Sequence, residues 1–465
     1  MRGMSRGRRG ILQARVPVAC VVFAAAACAV VSCGSAGTGA PAGAGAAGMP
    51  AVASPCAVPA ARPGREVAGP AGSFSVGGQL DGVAAAPASG VWAAGSSTLG
   101  NPLAVRWDGR AWKRVPAPGG DHLTSPEGGY LTDVAAVSAD DAWAVGAGMF
   151  NKALIEHWDG AAWTRVPSPD PGGGTVLNGV AALSATSAWA VGGTNDTGQT
   201  VVEHWDGDAW TQVPSPTPAG TSSDLYGVAA TSASNAWAVG QTDTRAGSTT
   251  LIEHWDGTAW RQVPSPAPPA GGSLAGVAAT SAASAWAVGS SSGALIEHWN
   301  GRAWTLVPGP ALGGAGSLHG VAATSPGNAW AVGGTVCPGR GLVTVIEHWN
   351  GRTWTLVPTP AAGILTAVAT ASAASAWAVG FWTASGNAVI EHWDGTAWTS
   401  PAGFCSSPSA AACSPAGSGS PAAAITQPAT SRTPPRRART SPEPGPGHAD
   451  ETIAAACHRA LILLG

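Results

Sequence analysis

The chain has 465 residues, with 23 basic and 26 acidic side chains and a net charge of −3 at pH 7. This balance gives no electrostatic basis for binding nucleic acid or an anionic membrane surface, so we expect neither as a partner. Tryptophan is the outlier in composition, with 22 residues against two tyrosines and five phenylalanines. Such a bias indicates a motif that is repeated along the chain.

The N-terminal segment, residues 1–33, has the pattern of an export signal. Several arginines precede a short apolar run from Val18 to Val31, which is too brief to span a membrane comfortably. The run ends in Val-Val-Ser-Cys, which resembles a bacterial lipobox, and we therefore predict that Cys33 is lipidated. A simple secretion signal with an ordinary thiol is the alternative, and export by the general or the twin-arginine route stays open. In either case the rest of the chain is expected outside the cytoplasm, as a lipoprotein on the outer face of the cytoplasmic membrane or secreted.

Two low-complexity segments flank the centre of the chain. Residues 34–72 consist mainly of Ala, Gly and Pro and predict a flexible tether, while residues 405–465 predict a Pro/Ser/Ala-rich tail. Five cysteines lie beyond the signal, and outside the cytoplasm they are free to form disulfides. The nearest pair is Cys405 and Cys413, a possible disulfide, and Cys56 could instead bond to either of them.

The tryptophans between these segments form three series of seven, with intervals of 44 to 51 residues in the first series. The series mark the phrases WAVG, HWDG and AW, and Trp382 is the one tryptophan left over. A period of this length indicates propeller blades or helical repeats. Each unit contains four short apolar runs, none of them long enough for an ordinary helix, and Asp-Gly or Asn-Gly separates the third run from the fourth. The sequence therefore predicts an all-β, seven-bladed propeller of four-stranded blades over residues 73–404.

The fourth unit illustrates the expected pairing within a blade. If the Asp-Gly turn has two residues, Trp255 pairs with Thr258 and Glu253 faces Trp260. Glu253, Trp255 and Trp260 then share one face of the sheet. The last unit lacks the Val-Pro pair that follows the other fourth runs, and residues 70–79 are candidates for an added strand where the ring closes.

The layout GVAATS, AWAVGG, EHWDG, AW and VPSP resembles the blade of kelch and galactose-oxidase-like propellers over residues 74–404. It is also similar to Trp-rich propellers of exported bacterial proteins. The chain departs from the kelch pattern because the second glycine is often replaced, as in AWAVGQ, and Trp stands where kelch has Tyr. The resemblance implies a binding or scaffold propeller, with an exported lipoprotein-type member as the nearest kind.

The repeated Glu-His-Trp phrase predicts architecture and not chemistry. An enzyme needs its catalytic group once, whereas His occupies the same framework position in six blades and Arg106 fills it in the first. We expect each His and each neighbouring Glu to be satisfied by hydrogen bonds within or between blades. Equivalent strand positions of different blades lie too far apart to share a metal ion, so we predict no metal site and no cofactor.

Function is expected in the loops that differ between blades. The candidate ligand-binding residues are those that break the repeat there, namely Met149, Phe150, Lys152, Asn195, Asp196, Asp243, Arg245, Arg340, Phe381 and Trp382. An exposed Trp382 could stack on a sugar or anchor a protein, although a Trp that covers the rim of its own blade is an equally good interpretation. No nucleophile elbow, phosphate loop or zinc-protease motif is present in the sequence.

We therefore predict a monomeric, surface-tethered binding or scaffold module without catalysis, whose partner is a protein or a glycan of the cell envelope. A carbohydrate-active enzyme is the second hypothesis, and it requires two carboxylates about 5–10 Å apart at one mouth of the channel. A passive structural module is the third. Contact with a membrane is expected only through the N-terminal lipid or signal anchor.

Overall fold

The computed structural model describes residues 55–56, 76–86, 90–119, 128–218, 221–266, 268, 270–313, 315–361, 363–382 and 386–401. These residues form β-strands, and none of them belongs to a helix long and apolar enough to cross a bilayer. The strands group into seven sheets of four, each an antiparallel meander of consecutive strands. The predicted seven-bladed propeller is confirmed. The predicted export signal with Cys33, most of the tether, and the tail with Cys405 and Cys413 lie outside the described residues.

The first four blades contain β1 (Gly78–Ala86), β2 (Gly90–Ser97), β3 (Pro102–Trp107), β4 (Trp112–Val115), β5 (Gly129–Ser138), β6 (Asp141–Gly148), β7 (Ala153–Trp158), β8 (Trp163–Arg165), β9 (Thr175–Ser184), β10 (Ser187–Thr194), β11 (Thr200–Trp205), β12 (Trp210–Gln212), β13 (Ser222–Ser232), β14 (Asn235–Thr244), β15 (Gly247–Trp255) and β16 (Trp260–Gln262). The other three contain β17 (Ser273–Ser281), β18 (Ser284–Ser290), β19 (Ala294–Trp299), β20 (Trp304–Leu306), β21 (Gly316–Ser325), β22 (Asn328–Cys337), β23 (Gly341–Trp349), β24 (Trp354–Leu356), β25 (Ile364–Ser372), β26 (Ser375–Trp382), β27 (Asn387–Trp393) and β28 (Trp398–Thr399). The fourth strands are the shortest, and they form the outer edges of the blades.

The first strand of each blade contacts the first strand of the next, and β25 contacts β1, so the first strands line the centre of a closed ring. Among the described residues, no strand is exchanged between the first and the last blade. Gly77 forms an antiparallel bridge with Asn387, and the Ala388 N–H donates to the Val76 carbonyl at 3.0 Å. Residues 70–79 were the candidates for an added strand at the closure, and among the described residues this segment contributes a single bridge at Gly77. The Thr366 hydroxyl also donates to the Leu80 carbonyl at 2.6 Å across the same junction.

Each junction between blades is filled by three tryptophans, one from the preceding blade and two from the following blade. Trp237 of the fourth blade lies 4.9 Å from Trp299 and 5.1 Å from Trp304 of the fifth, measured between ring centroids. The second contact is edge-to-face, the arrangement that the aromatic quadrupole favours. The closing junction repeats this pattern, with Trp377 at 5.3 Å from Trp107 and 5.4 Å from Trp112. The three tryptophan series are therefore the packing units that join the blades.

The turn between the third and fourth strands is longer than the sequence indicated. Trp255 pairs with Trp260 and Glu253 pairs with Gln262, so the expected pairing of Trp255 with Thr258 is wrong. The Asp256 carboxylate accepts the N–H groups of Thr258 and Ala259 at 2.9 and 3.0 Å, and Gly257 takes a φ of 92°. This Asx-stabilised loop holds four residues instead of two. Glu253, Trp255 and Trp260 do share one face, as expected. Trp255 and Trp260 are directly paired, and Glu253 lies two residues before Trp255 on the same strand.

A disulfide joins Cys56, which precedes the ring, to Cys337 at the end of β22 in the sixth blade. The bond excludes the alternative that Cys56 pairs with Cys405 or Cys413. Arg340, in the turn after β22, donates to the Cys56 carbonyl at 3.4 Å. Since the bonded residues are 281 positions apart, the bridge and the chain between them form one covalent loop that contains the first five blades.

We expect Trp237→Ala to lower the free energy of unfolding by about 3–5 kcal/mol, because the substitution opens a cavity at a junction where Trp237 is 1% exposed. Urea unfolding followed by circular dichroism measures the loss. Trp382→Ala is the matched control, since Trp382 is half-buried and belongs to none of the described Trp triplets. Equal losses in the two variants would contradict the role given to the junction tryptophans.

We expect a Cys56→Ser/Cys337→Ser variant to be less stable than the oxidised parent by about 2–4 kcal/mol, because the bond restricts the unfolded chain. Unfolding with and without reductant checks this expectation. Reductant should lower the midpoint of the parent and leave the double variant unchanged. An unchanged parent midpoint would show that the bond adds nothing to stability.

Candidate functional site

The antiparallel meander divides the connections of every blade between two ends of the ring. One end, the repeat face, carries the turns between first and second strands and between third and fourth strands. The other end, the variable face, carries the turns between second and third strands and the links from one blade to the next. All ten candidate ligand-binding residues lie at or next to turns of the variable face, between second and third strands. The topology therefore brings them to the same end of the ring but distributes them over five blades.

The framework histidines are held within their own blades. His254 stacks on Trp237 with ring centroids 4.2 Å apart, and its Nε2 lies 2.8 Å from Oδ1 of Asn235. The other histidines of this position have the same type of partners, at Asp141, Ser187, Ser284, Asn328 and Ser375. Burial lowers the pKa of His254. The structural interpretation of these histidines is confirmed, and the described residues contain no group of three or more His, Cys, Asp or Glu side chains that could hold a metal ion.

The framework glutamates connect neighbouring blades. Glu253 is 0% exposed and accepts a hydrogen bond from the Ser215 hydroxyl, 2.7 Å away, in the VPSP segment of the preceding blade. Ser168 and Ser265 donate in the same way to Glu203 and Glu297. Burial raises the pKa of Glu253 to about 7, and the serine bond lowers it in part. These carboxyls are structural links of the ring.

Glu347 departs from this pattern. The preceding blade has VPGP, so Gly309 occupies the place of the serine. Glu347 is 0% exposed, and neither of its carboxyl oxygens has a hydrogen-bond partner among the described residues. Burial raises its pKa to about 8. A Cβ at position 309 would lie 3.3 Å from Oε2 of Glu347, close enough for a serine hydroxyl to reach it.

The second blade presents its candidate residues to solvent. Met149 is 45% exposed and Phe150 is 86% exposed, at the tip of the turn between β6 and β7. Together with Lys152 and Arg165 they line an open depression of about 350 Å³, whose floor includes Leu154, Ile155 and Val166. The lining combines apolar and cationic side chains, a mixture that suits a protein ligand with apolar and acidic side chains.

The tip of this turn is in an unfavourable backbone conformation. Phe150 and Asn151 have φ values of 62° and 52°, and they are the non-glycine residues with positive φ in the described chain. Left-handed φ costs about 1–2 kcal/mol for a residue with a side chain. The corresponding turns of the first, third, fourth, sixth and seventh blades place a glycine at positive φ. The second blade thus keeps an exposed aromatic side chain where the others use the residue that relieves the strain, a combination typical of functional sites.

The other candidates are bound more closely to their own blades. Asn195 and Asp196 donate their N–H groups to the Gly174 and Gly173 carbonyls, at 3.1 and 2.8 Å. The Asp243 carboxylate accepts a hydrogen bond from the Ser248 hydroxyl at 2.6 Å, while Arg245 is exposed.

The sixth and seventh blades hold the remaining candidates. Arg340 contacts the disulfide-bonded segment through its bond to the Cys56 carbonyl. Phe381 and Trp382 are half-buried, and Trp382 packs against the hydrophobic cluster that contains Leu365 and Val389. The structure thus favours the interpretation of Trp382 as a rim cover, and a binding role for these residues stays a prediction.

Exposed large hydrophobic side chains on the variable face belong to two adjacent blades, the first and the second. Among the described residues, four large hydrophobic side chains are exposed, and three of them are Leu99, Met149 and Phe150. Leu99 lies in the turn between β2 and β3, so these three side chains belong to adjacent blades. The fourth, Leu306, lies on the outer strand β20. Leu99 was not among the sequence candidates, although its place in a variable turn could have identified it.

Sequence reasoning also missed a variable position next to the central channel. Each first strand has a bulge directly after a buried leucine, in phrases such as QLDGVAA and DLYGVAA. The bulged residues are all different in the first, third, fourth, fifth and sixth blades, and the full set is Asp81, Thr132, Asn178, Tyr226, Ala275, His319 and Thr366. Thr132, Asn178 and Thr366 donate to the leucine carbonyl of the next blade, at 2.6 to 2.9 Å. These three side chains brace the ring.

Two carboxyls near the channel bear on the hypothesis of an enzyme. Asp81 and Asp133 are half-buried by accessible area, but protein surrounds them closely, and this desolvation raises the pKa of each to about 7. Asp133 accepts the N–H groups of Val134 and Val180, at 2.8 and 3.0 Å, and so links the second blade to the third. The charge of Asp133 also raises the pKa of Asp81, so the two carboxyls interact. The carbohydrate-active enzyme stays an untested alternative.

No protein-family model matches the chain, and no curated protein matches it. Among solved structures, YCF48 bound to D1 peptide is similar, at 16% identity and a TM-score of 0.48, over 73% of this chain and 97% of that one. YCF48 from Cyanidioschyzon merolae is 14% identical, with a TM-score of 0.48, over 70% and 99%. The WD40 β-propeller domain of Doa1 is 11% identical, with a TM-score of 0.47, over 69% and 96%. These similarities concern the fold, and the assignment of the seven blades rests on the strand pairing itself.

The buried glutamates make stability depend on pH. Because the folded chain keeps a proton on Glu347 that the unfolded chain has lost, stability is full below the ordinary glutamate pKa and declines as pH rises toward 8. We expect the free energy of unfolding to fall between pH 5 and pH 8. Glu347→Gln should make this decline less steep, which denaturant titrations at several pH values would measure.

Gly309→Ser is the matched test of the missing hydrogen bond. A serine there should donate to Glu347 and raise stability at pH 7.5 by about 0.5–1.5 kcal/mol. In the Glu347→Gln background the gain should be smaller, because a serine bond favours the carboxylate form of Glu347, and glutamine has no such form. If the free energy of unfolding falls with pH equally steeply in the parent and in Glu347→Gln, Glu347 is not the cause of the pH dependence.

Proposed function

We propose that this chain is an exported binding or scaffold propeller that captures a protein partner on the variable face and catalyses no reaction. One observation carries the proposal, namely the concentration of exposed apolar side chains at Leu99, Met149 and Phe150 on adjacent blades. Soluble proteins seldom expose neighbouring large apolar side chains without a partner, and buried aromatic anchors dominate the energy of protein interfaces. A glycan partner is less well supported, since Trp382 is half-buried.

The proposal includes a kelch-like kinship of the repeat and a location outside the cytoplasm. The disulfide between Cys56 and Cys337 supports the location, because such bonds persist in oxidising compartments. The basic and apolar pattern of residues 1–33 supports export, with lipidation at Cys33 as the proposed anchor on the outer face of the cytoplasmic membrane. With such an anchor, the propeller would hold its partner near the membrane surface.

The test uses the full chain as bait against a solubilised cell-envelope extract of the native host, with captured proteins identified by mass spectrometry. Phe150→Gly is the informative variant, because it removes the aromatic anchor and also relieves the left-handed strain. We expect it to capture at least tenfold less partner while its melting temperature stays equal to or above that of the parent. A lost partner then reflects the surface and not misfolding.

Leu99→Ser should weaken capture as well, and Leu306→Ser is the matched control, since Leu306 is 48% exposed but lies outside the patch. Capture of the same protein by all variants would place the interface elsewhere and contradict the proposal. Capture of nothing by the parent would favour the passive structural module.

A further inference from the structure

The outer edge of β7 is uncovered beside the Phe150 turn. The Lys152 carbonyl accepts the Gly148 N–H at 2.7 Å, on the side of β6, and the Ile155 carbonyl accepts the Val166 N–H at 3.0 Å, on the outer side. Because backbone groups alternate in direction along a strand, Ala153 directs its N–H and C=O outward, like Ile155. The short outer strand β8 pairs with residues 156–158 and does not reach Ala153. No described residue forms a hydrogen bond with this outward N–H.

Four other blades place their own chain beside the equivalent position, and the first blade has proline there. In the seventh blade the Ala388 N–H donates to the Val76 carbonyl, within the antiparallel bridge between Gly77 and Asn387. In the third blade the Thr200 N–H donates to the Thr217 hydroxyl at 3.1 Å. The Thr250 and Thr344 hydroxyls of the fourth and sixth blades bond to the chain that follows the outer strand. The fifth blade has alanine here too, and Ala294 packs against a hydrophobic cluster as Ala153 does, with no hydrogen bond to its N–H among the described residues.

The second blade has no such cover because its own candidate is held elsewhere. Asp170 stands where the third blade has Thr217, in the phrase that follows Val-Pro-Ser-Pro. Its carboxylate accepts hydrogen bonds from the Gly172 N–H at 3.2 Å and from the Thr175 hydroxyl at 3.3 Å. Ser168, two residues earlier, donates to Glu203 of the third blade. The serine bond recurs in the third and fourth blades, so the difference lies at Asp170, whose carboxylate bonds within its own segment instead of to β7. The depression of about 350 Å³ beside β7 is open.

The surroundings of this edge define the chemistry of an occupant. Met149 and Phe150 offer an exposed apolar surface on one side, and Leu154 and Val166 line the depression itself. Lys152 and Arg165 place two cationic side chains in the same lining, and no acidic side chain lines it among the described residues. An extended peptide gains main-chain hydrogen bonds from a sheet edge and specificity from pockets for its alternate side chains.

We propose that the outer edge of β7 at Ala153 binds an extended segment of the partner protein as an added antiparallel strand, with apolar side chains against Met149 and Phe150 and acidic side chains beside Lys152 and Arg165. The segment takes the place that Val76 and Gly77 occupy on β27 in the seventh blade. Its carbonyl accepts the Ala153 N–H. This inference rests on the proposed function and specifies how the partner is recognised.

The test replaces Ala153 by proline, which has no N–H to donate and which already occupies the equivalent position of another blade. Pro102 occupies the equivalent position in the first blade and pairs with Ser96 as Ala153 pairs with Ala147. The full chain and its Ala153→Pro variant are each screened against a displayed library of random nine-residue peptides. We expect the parent to enrich peptides in which apolar and acidic residues alternate, and their affinity to fall roughly tenfold in Ala153→Pro.

Further measurements distinguish strand addition from a general loss of structure. Peptide binding should slow hydrogen exchange at the Ala153 amide of the parent, which contact through side chains would not require. Ala294→Pro, the matched change at the equivalent position of the fifth blade, lies outside the Met149–Phe150–Lys152 depression and should leave peptide affinity unchanged. Lys152→Glu should weaken acidic peptides by several-fold and more strongly at low salt.

The inference is overturned if no peptide is enriched, if the enriched peptides lack acidic residues, or if Ala153→Pro binds them as well as the parent. These failures are distinguishable from a failure of the proposed function. A chain that captures its partner through Phe150 but is insensitive to Ala153→Pro binds by side chains, so the binding module stands without strand addition. If the Phe150→Gly variant also captures the partner normally, both the proposed function and the strand addition are contradicted.

Discussion

The packing of one tryptophan against two tryptophans of the next blade is the interaction on which the rest of the structure depends. A four-stranded sheet of alanine, glycine and valine has too little bulk to hold its neighbours, and the triplets provide it at every junction, including the closing contact of Trp377 with Trp107 and Trp112. Edge-to-face geometry fixes the angle between blades as well as their distance. The repeated residues are thereby committed to the ring, and this leaves function to the residues that differ.

Much of the fold could be predicted from the sequence because the constraint is periodic. Three tryptophan series gave the number of blades, and four apolar runs gave the strands. The pairing of Trp255 was wrong because Asp-Gly indicates a two-residue turn, whereas the Asp256 side chain folds a four-residue loop around itself. The disulfide between Cys56 and Cys337 was missed for a different reason, since residues 281 positions apart give no local signal of proximity.

The candidate site was predictable in part. Met149, Phe150 and Lys152 stood out because they interrupt a repeat, and the structure places them around one open depression. The strain at Phe150 and the free edge at Ala153 could not be read from composition, because both depend on backbone direction. A comparison among the chain's own repeats does contain a trace of the second feature, since Thr200, Thr250 and Thr344 occupy the position at which the second blade has Ala153.

Departures from the repeat differ in whether another part of the chain compensates for them. The seventh blade lacks the Val-Pro-Ser-Pro segment that supplies the serine in other blades. The first blade, which follows it in the ring, has buried Val105 in place of the glutamate, so this junction contains no carboxyl that needs a serine. Gly309 leaves Glu347 unbonded, yet the defect is buried and affects stability alone. The second blade is different, because the left-handed backbone at Phe150 and the unbonded N–H of Ala153 lie beside the same open depression on the variable face. Backbone strain at an accessible place is a frequent property of binding sites, which is why the proposed partner is placed at this blade.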